Sequence, residues 1–382
     1  MLRKIDFILE DLGIYNLLGF CSSLIPKNKD IFIWTSYPNY SDSVRIFYEY
    51  CKEIYPDKRH IWIQYRRPLL MNISELESYD FYSLLGLYYV LKAKVIFTNN
   101  NEFYRIKSRN QILIDFWHGI PIKSILNYDR NMTKKHRTFA STTTYRVSSS
   151  RFVTIMLSSA FGNSPFSYLE TGSLRADRLL SASSFDFYRL LPGLRTDLKI
   201  AVLMPTYRKG YDGRDDGDVY LDGVALAQMR TTLLNNGYNL VVKPHPFEEH
   251  KWTNLYPYVI TSKTLDSFNC IPSDLLASTD LLITDYSSVL LDFLLLRRPF
   301  IVLNIDQSEY NEKRGFIFEV GDYLNSNVLK NLDDFDDRIH SILNAKTQEN
   351  IEFLTKLYFD YHDTDNAKRL SIRLAELHND VF

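Results

Sequence analysis

Short apolar runs of strand length alternate with helical patterns along most of the chain. In the first half, Ile31–Trp34, Ile61–Tyr65, Val95–Thr98, Ile112–Phe116 and Tyr168–Thr171 carry the β-rich character of buried strands. Between them, Asp42–Glu53, Tyr79–Lys92 and Ser149–Phe161 space their apolar residues at helical period. Such alternation predicts parallel βαβ layering. Ser181–Thr196 interrupts the pattern with serines, Pro192 and Gly193, so the domain junction falls there. The alternation then restarts. Ile200–Met204, Leu240–Lys243, Val259–Ile260, Leu281–Thr284 and Phe300–Leu303 read as strands. Val224–Asn235, Pro272–Ser278, Ser287–Leu296, Asp334–Ala345 and Glu349–Tyr361 read as helices.

The prediction is an α/β protein with two Rossmann-like domains, residues 1–185 and 186–382, the last helix being able to pack back on the first. Two such halves facing a central cleft form the architecture called GT-B. A length of 382 residues suits two domains of roughly 150–200 residues each. The net charge of −1 removes any general electrostatic case for a nucleic-acid partner. Cys21, Cys51 and Cys270 lie too far apart for a CxxC pair or a zinc set, which fits a reducing cytoplasm. The segment Met1–Phe20 is interrupted by Asp6, Glu10 and Asp11 and lacks the clean run of a signal peptide. A core-packed helix is expected there, with an amphipathic surface helix as the alternative. Val289–Leu296 is too short to span a bilayer, so any membrane contact is peripheral.

Ligands of open α/β sheets bind beyond the carboxyl ends of strands, so residues just after strands are the informative ones. His118 follows a strand within Asp115–Lys123 and sits on a stiff Gly-x-Pro turn; a core histidine capping that turn is the alternative. His245 is bracketed by Pro244 and Pro246, which end the strand and pre-orient the ring, and Lys243 adds a cation for anion binding. Ser287 and Ser288 after Thr284-Asp285 offer hydroxyls and a helix N-terminus to phosphate, with Asp292 one turn in as an acceptor for a ribose or base. An ordinary N-cap explains the two serines equally well. Arg208, after Pro205-Thr206, and Arg175 present planar donors suited to phosphate oxygens, unless Arg175 pairs with Asp177. The set suits a nucleoside diphosphate linkage.

In order, WHGIPIK, TGSLRADRL, MPTYR, KPHP, TDYSSVLLDF and Tyr310…Arg314-Gly315-Phe316 resemble the CDP-glycerol glycerophosphotransferase family of teichoic-acid primases and polymerases. The resemblance spans about Ile31 to Gly315. It implies a GT-B fold, a CDP-glycerol or CDP-ribitol donor, and a polyprenyl-diphosphate-linked saccharide or polymer as acceptor. The site would lie at the cytoplasmic face of the membrane. It further implies donor contacts at His118, Gly119, Ile120, Pro121, Ile122, Arg175, Pro205, Thr206, Lys243, Pro244, His245, Ser287, Ser288 and Asp292. Ser173-Leu174 stands where the family often has Tyr-Pro, and Ile120 where threonine is common.

On this reading His118 is the general base on the attacking hydroxyl, and His245 with Lys243 serves the phosphate oxygens. Proton donation by His245 to the departing CMP belongs to the same expectation. Lys123 and the basic run Arg130, Lys134, Lys135 and Arg137 would attract an anionic acceptor or lipid surface, with a solvated face as the alternative. No cofactor is required; a magnesium ion between the donor phosphates and Asp285 is compatible. The acidic run Asp212–Asp218 lacks the glutamate of a calcium loop and is expected to be a solvated loop. A GT-B glycosyltransferase using a nucleotide sugar and a non-catalytic nucleotide sensor are the competing readings.

Overall fold

The structure, a computed structural model, describes residues 12–65, 75–129, 143–181, 185–207, 221–313, 315–317, 324, 327–344 and 349–382. The chain divides into two compact units: Met1–His118, Asn131–Arg178 and Phe359–Phe382 form the first, and Gly119–Arg130 with Leu179–Tyr358 the second. The expected division was a cut after residue 185 with the last helix able to pack back on the first domain, and Phe359–Phe382 does belong to the first unit. The chain crosses instead at Arg178 and lends two segments across that cut. Gly119–Arg130 joins the second unit because Lys123 bridges Phe316 and the Ser124 amide donates to the Gly315 carbonyl at 3.0 Å. The C-terminal segment joins the first, where the Asp177 carboxylate accepts from the backbone amides of Asn366 and Ala367 at 3.0 and 2.7 Å.

The first unit carries seven strands: β1 Asn28–Trp34, β2 Arg59–Gln64, β3 Ser78–Asp80, β4 Ala93–Thr98, β5 Ile112–Asp115, β6 Tyr145–Ser148 and β7 Tyr168–Glu170. All described pairings are parallel, in the order β3-β2-β1-β4-β5-β6-β7. The second unit holds β8 Lys199–Met204, β9 Tyr238–Val242, β10 Leu281–Thr284, β11 Phe300–Leu303 and β12 Val328–Leu329, in the order β12-β11-β10-β8-β9. Both orders are doubly wound, reversing direction between β1 and β4 and between β8 and β10. Strands covered on both faces read as continuous apolar runs, because alternate residues enter opposite cores. Ala201 and Leu203 pack with Leu240, Ile283 and Ile301 on one side, while Ile200 and Val202 pack with Val241, Ile260 and Leu275 on the other. In the first unit Trp34 and Phe97 stack with ring centroids 4.0 Å apart.

The departures from the expected elements have local causes. Tyr79–Lys92 is a short strand followed by the helix Leu84–Lys92, because the Ser83 hydroxyl accepts the Gly86 amide at 3.0 Å and starts the helix late. Val259–Ile260 contributes one bridge, Val242 to Val259, rather than a strand. The helix expected over Ser287–Leu296 is only Val289–Leu294, flanked by i to i+3 bonds such as Leu291 to Ser288 and Leu296 to Phe293. At the N-terminus, the described helix Ile14–Leu24 buries Tyr15 and Ser22 but leaves Leu17, Phe20 and Leu24 about two-thirds exposed. Over its described length it packs one face on the core of the first unit through Tyr15 and Leu18 and exposes the other.

Candidate active site

At the reversal point of the first sheet, four strand exits are tied together by side chains. The Asn99 carboxamide, just past β4, accepts the Tyr37 amide at 2.9 Å and donates to the Tyr37 carbonyl at 3.1 Å. It thereby clamps the exit of β1. The same amide nitrogen reaches the Asp42 carboxylate at 3.4 Å. Asp42 opens the helix Asp42–Ile54 with φ of +62° and takes Arg175 in a two-pronged pair, Nε at 2.6 Å and NH2 at 2.8 Å. Burial alone would raise the Asp42 pKa; the charge and hydrogen bonds of Arg175 override it and hold the carboxyl below its usual range.

His118 stands beside this group. Its Nδ1 lies 3.4 Å from the Asn99 carbonyl oxygen, and its ring lies against Trp117 with centroids 3.8 Å apart. The turn that carries it is held from below. Trp117 adopts φ of +54° and Gly119 +134°, the second a conformation in which side chains are strained. Asp115, fully buried at the end of β5, accepts the Trp117 amide at 3.0 Å and pairs with the equally buried Arg146 at 2.9 Å. Arg146 lies flat over Phe161, 3.6 Å from its centroid. His118 as a residue is exposed to solvent. Loss of water around it lowers its pKa below the ordinary value, against the Asn99 hydrogen bond and the carboxylates of Asp42 and Asp115. The imidazole is thus neutral at pH 7. With Nδ1–H directed at a carbonyl, Nε2 carries the lone pair. A neutral ring with an open Nε2 can accept a proton.

The second unit repeats the strand-exit plan with different chemistry. At the reversal between β8 and β10, both carboxylate oxygens of Asp285 accept the Thr206 amide, at 2.9 and 3.0 Å, and the Thr284 hydroxyl donates to the Met204 carbonyl at 2.7 Å. His245, after β9, stacks on Tyr207 at 4.9 Å. Its Nδ1 accepts the Phe247 amide at 3.3 Å, which puts the ring proton on Nε2. Burial, then the charges of Lys123 and Lys243, push its pKa down to about 4. At neutral pH His245 offers a neutral N–H, not an acidic imidazolium.

Several expected site residues are placed differently from their sequence reading. Arg175 pairs with Asp42; Asp177, the partner considered for it as an alternative, instead caps the helix Asn366–Leu377. Gly172, in the same loop, has no room for a Cβ, which would fall 1.7 Å from Asn366 Oδ1. Lys243 is buried, its ammonium donating to the Pro244 carbonyl at 2.8 Å and pairing with Glu249 at 3.3 Å. Its positive charge also bears on His245, whose pKa it helps to lower. Thr284 and Asp285 tie the exits of β8 and β10 together. Among the described residues no three His, Cys, Asp or Glu side chains gather as metal ligands.

Ser287 and Ser288 are partly exposed, but the helix they precede has six residues, so its dipole is weaker than the longer helix would supply. Ser287 Oγ accepts the Val289 amide at 3.4 Å, and Asp292 is buried one turn in. Ile120, Pro121 and Ile122 are buried, Pro205 and Pro244 likewise, and Thr206 is 5% exposed. Lys123, expected to face acceptor or membrane, lies in the second unit over the Tyr310 ring at 5.9 Å. Tyr310 packs on Tyr286 at 4.6 Å, immediately before Ser287. Lys123 thus belongs with the His245 and Ser287 loops. Arg130, Lys134, Lys135, Arg137, Arg208, Arg314 and the run Asp212–Asp218 lie outside the described residues. Asp42 and Asn99 were missed; the sequence signals were the asparagine run 99–101 after a strand and the Ser41-Asp42 start of a helix.

The model of the family described as CDP-Glycerol:Poly(glycerophosphate) glycerophosphotransferase matches residues 17–376. The teichoic acid poly(glycerol phosphate) polymerase of Bacillus spizizenii is 28% identical over 384 residues, covering 94% of this chain and 95% of that protein. The teichoic acid poly(glycerol phosphate) polymerase of Staphylococcus epidermidis is 28% identical over 73% of this chain, which spans only 40% of that longer protein. A solved structure of the wall teichoic acid polymerase TagF shares the fold, with a TM-score of 0.78 and 22% identity over the whole of this chain and 96% of the other. A match of that extent, with two reversed parallel sheets and a strand-exit histidine in each unit, decides the family. The chain belongs to the CDP-glycerol:poly(glycerophosphate) glycerophosphotransferases.

Proposed function

We propose that this enzyme transfers glycerol phosphate or ribitol phosphate from a CDP-polyol to a hydroxyl of a lipid-linked acceptor in teichoic-acid or capsular polymer synthesis. The observation that carries the reading is His118: a neutral imidazole of an exposed residue on a rigid turn, with Nδ1 turned to a carbonyl and the lone pair left to Nε2. The acceptor oxygen bonds to the phosphorus that bears the polyol, the bond to the CMP oxygen breaks, and His118 Nε2 takes the hydroxyl proton. Phosphoryl transfer depends chiefly on such positioning and on charge stabilisation. His245 contributes an Nε2–H to a donor phosphate oxygen, and Lys123 and Lys243 contribute positive potential beside it. Proton donation from His245 to CMP is not part of the proposal, because a ring with a pKa near 4 has no imidazolium to give.

The acceptor is lipid-linked, so the enzyme works at a membrane surface. Among the described residues no helix is long and apolar enough to cross one. The helices Ile14–Leu24 and Leu84–Lys92 lie against each other and expose Leu17, Phe20, Leu24, Leu84 and Leu85. Lys27, Lys92 and Lys94 act on one another electrostatically beside them. An apolar face with a basic border suits the interface of an anionic leaflet, each lysine there being worth ~1 kcal/mol.

The test is incubation with CDP-glycerol, CDP-ribitol or a UDP-sugar together with lipid-linked acceptors, reading product mass and the nucleotide released. CMP release with a phosphopolyol added to the acceptor supports the proposal. Sugar transfer with UDP release would replace it with the glycosyltransferase reading. Activity should also fall on the acid side only below the ordinary histidine pKa of ~6.5, since His118 is depressed and works unprotonated.

A further inference from the structure

We propose that Asn99 is a positioning residue for the transfer: its side chain locks the β4 exit so that its own carbonyl holds His118 in the Nδ1–H tautomer. This rests on the reading of His118 as the base.

Three features carry the argument. Asn99 is fully buried, and its carboxamide satisfies both the amide and the carbonyl of Tyr37, one residue type matched to one piece of backbone. No other side-chain type of that length offers an acceptor and a donor together in one plane. Second, the clamp joins β1 to β4, the pair of strands at which the sheet order reverses, so a shift at Tyr37 moves the Asn99 carbonyl directly. Third, the His118 ring has one recorded hydrogen-bond partner among the described residues, and it is that carbonyl. Imidazole has two neutral tautomers, and which nitrogen carries the proton is set by the bond the other ring atom makes. Only the tautomer with the proton on Nδ1 leaves Nε2 free to take a proton from a hydroxyl.

The pair Asp42–Arg175 completes the arrangement. Asp42 receives the third hydrogen bond of Asn99, at 3.4 Å, and is itself fixed by the two-pronged contact with Arg175. The groups facing His118 are thus the Asn99 carbonyl, the carboxylates of Asp42 and Asp115, and the Arg175 guanidinium. Opposed charges at its border leave the ring's proton placement to the carbonyl.

The experiment compares wild type with Asn99→Ala and the isosteric Asn99→Asp, in the full chain, using CDP-glycerol and a lipid-linked acceptor. Asn99→Ala should lower kcat roughly 10- to 100-fold, a typical share of general-base catalysis, with KM for CDP-glycerol changed less than twofold. Its acid limb should move to lower pH, because the lost carbonyl bond had raised the His118 pKa. In Asn99→Asp, which keeps the size of the side chain but loses its donor to Tyr37 and Asp42, the added carboxylate should move that limb to higher pH. Nitrogen-15 spectra of the histidines should show Nδ1–H at His118 in wild type and a mixed or reversed tautomer in Asn99→Ala. A merely structural residue would lower the active fraction without moving the limb or the tautomer. That result, or Nε2–H at His118 in the wild type, overturns the proposal. If His118→Ala keeps full turnover, the base reading fails instead, and the tautomer spectra still report on Asn99 by themselves.

Discussion

Each unit places a histidine just past a strand, and the charge buried beneath it differs in sign. Under His118 lies Asp115, a carboxylate locked to Arg146; preceding His245 is Lys243, an ammonium locked to Glu249. The carboxylate favours a proton on His118 and the ammonium disfavours one on His245. Hydrogen bonding separates them further. Nδ1 of His118 faces a carbonyl, so Nε2 is an acceptor, whereas Nδ1 of His245 faces an amide, so Nε2 is a donor. Two similar strand exits therefore leave a ring nitrogen suited to accept a proton in one unit and a neutral hydrogen-bond donor in the other. The loops beneath follow the same logic. An amide clamps β1 to β4 through Asn99, and a carboxylate clamps β8 to β10 through Asp285.

The contrast can be broken in four places. Arg146→Met would strand Asp115 without its partner, and breaking a buried pair costs about 3–5 kcal/mol; urea unfolding should show that loss in full. His118→Ala should lower turnover by at least ~100-fold, with binding of CDP-glycerol by calorimetry changed little. The third test is pH. His245 has a folded pKa near 4, below the unfolded value of ~6.5, so the unfolded chain binds the extra proton first. Its contribution to stability is complete above about pH 6.5 and is lost as pH falls toward 4. His245→Asn should flatten that part of the stability curve in denaturant titrations at stepped pH. The smallest effect is expected for Lys123→Met. It removes a cation near His245, so the ring pKa should rise on NMR titration and CDP-glycerol affinity should drop several-fold. An unchanged affinity with weakened vesicle binding would return Lys123 to the membrane role.

Most strands were legible because a strand covered on both faces has no choice but to be apolar throughout. Leu281–Thr284 and Phe300–Leu303 have the bounds expected of them. Tyr145–Ser148 was not seen, since Arg146 breaks its apolar run and is accommodated by Asp115, Thr143, Tyr168 and the Phe161 ring. Helix ends were less legible. Ser287–Leu296 looks helical throughout, yet tighter i to i+3 bonds at both ends shorten it, and nothing local announces them.

The candidate site divides along the same line. Local sequence was enough to place His118 and His245 after strands, because glycine and proline act on the backbone within a few residues. It could not tell that Arg175 belongs to Asp42, 133 positions away, or that Asn99 reaches Tyr37 across 62. Asn99 meets Tyr37 because strand order folds β1 beside β4, and adjacency in a sheet leaves no mark on either strand's own pattern. Fold, family and histidines follow from the chain read in order. Which nitrogen of each ring is left to accept or to donate depends on charges and backbone groups that only tertiary packing brings within reach.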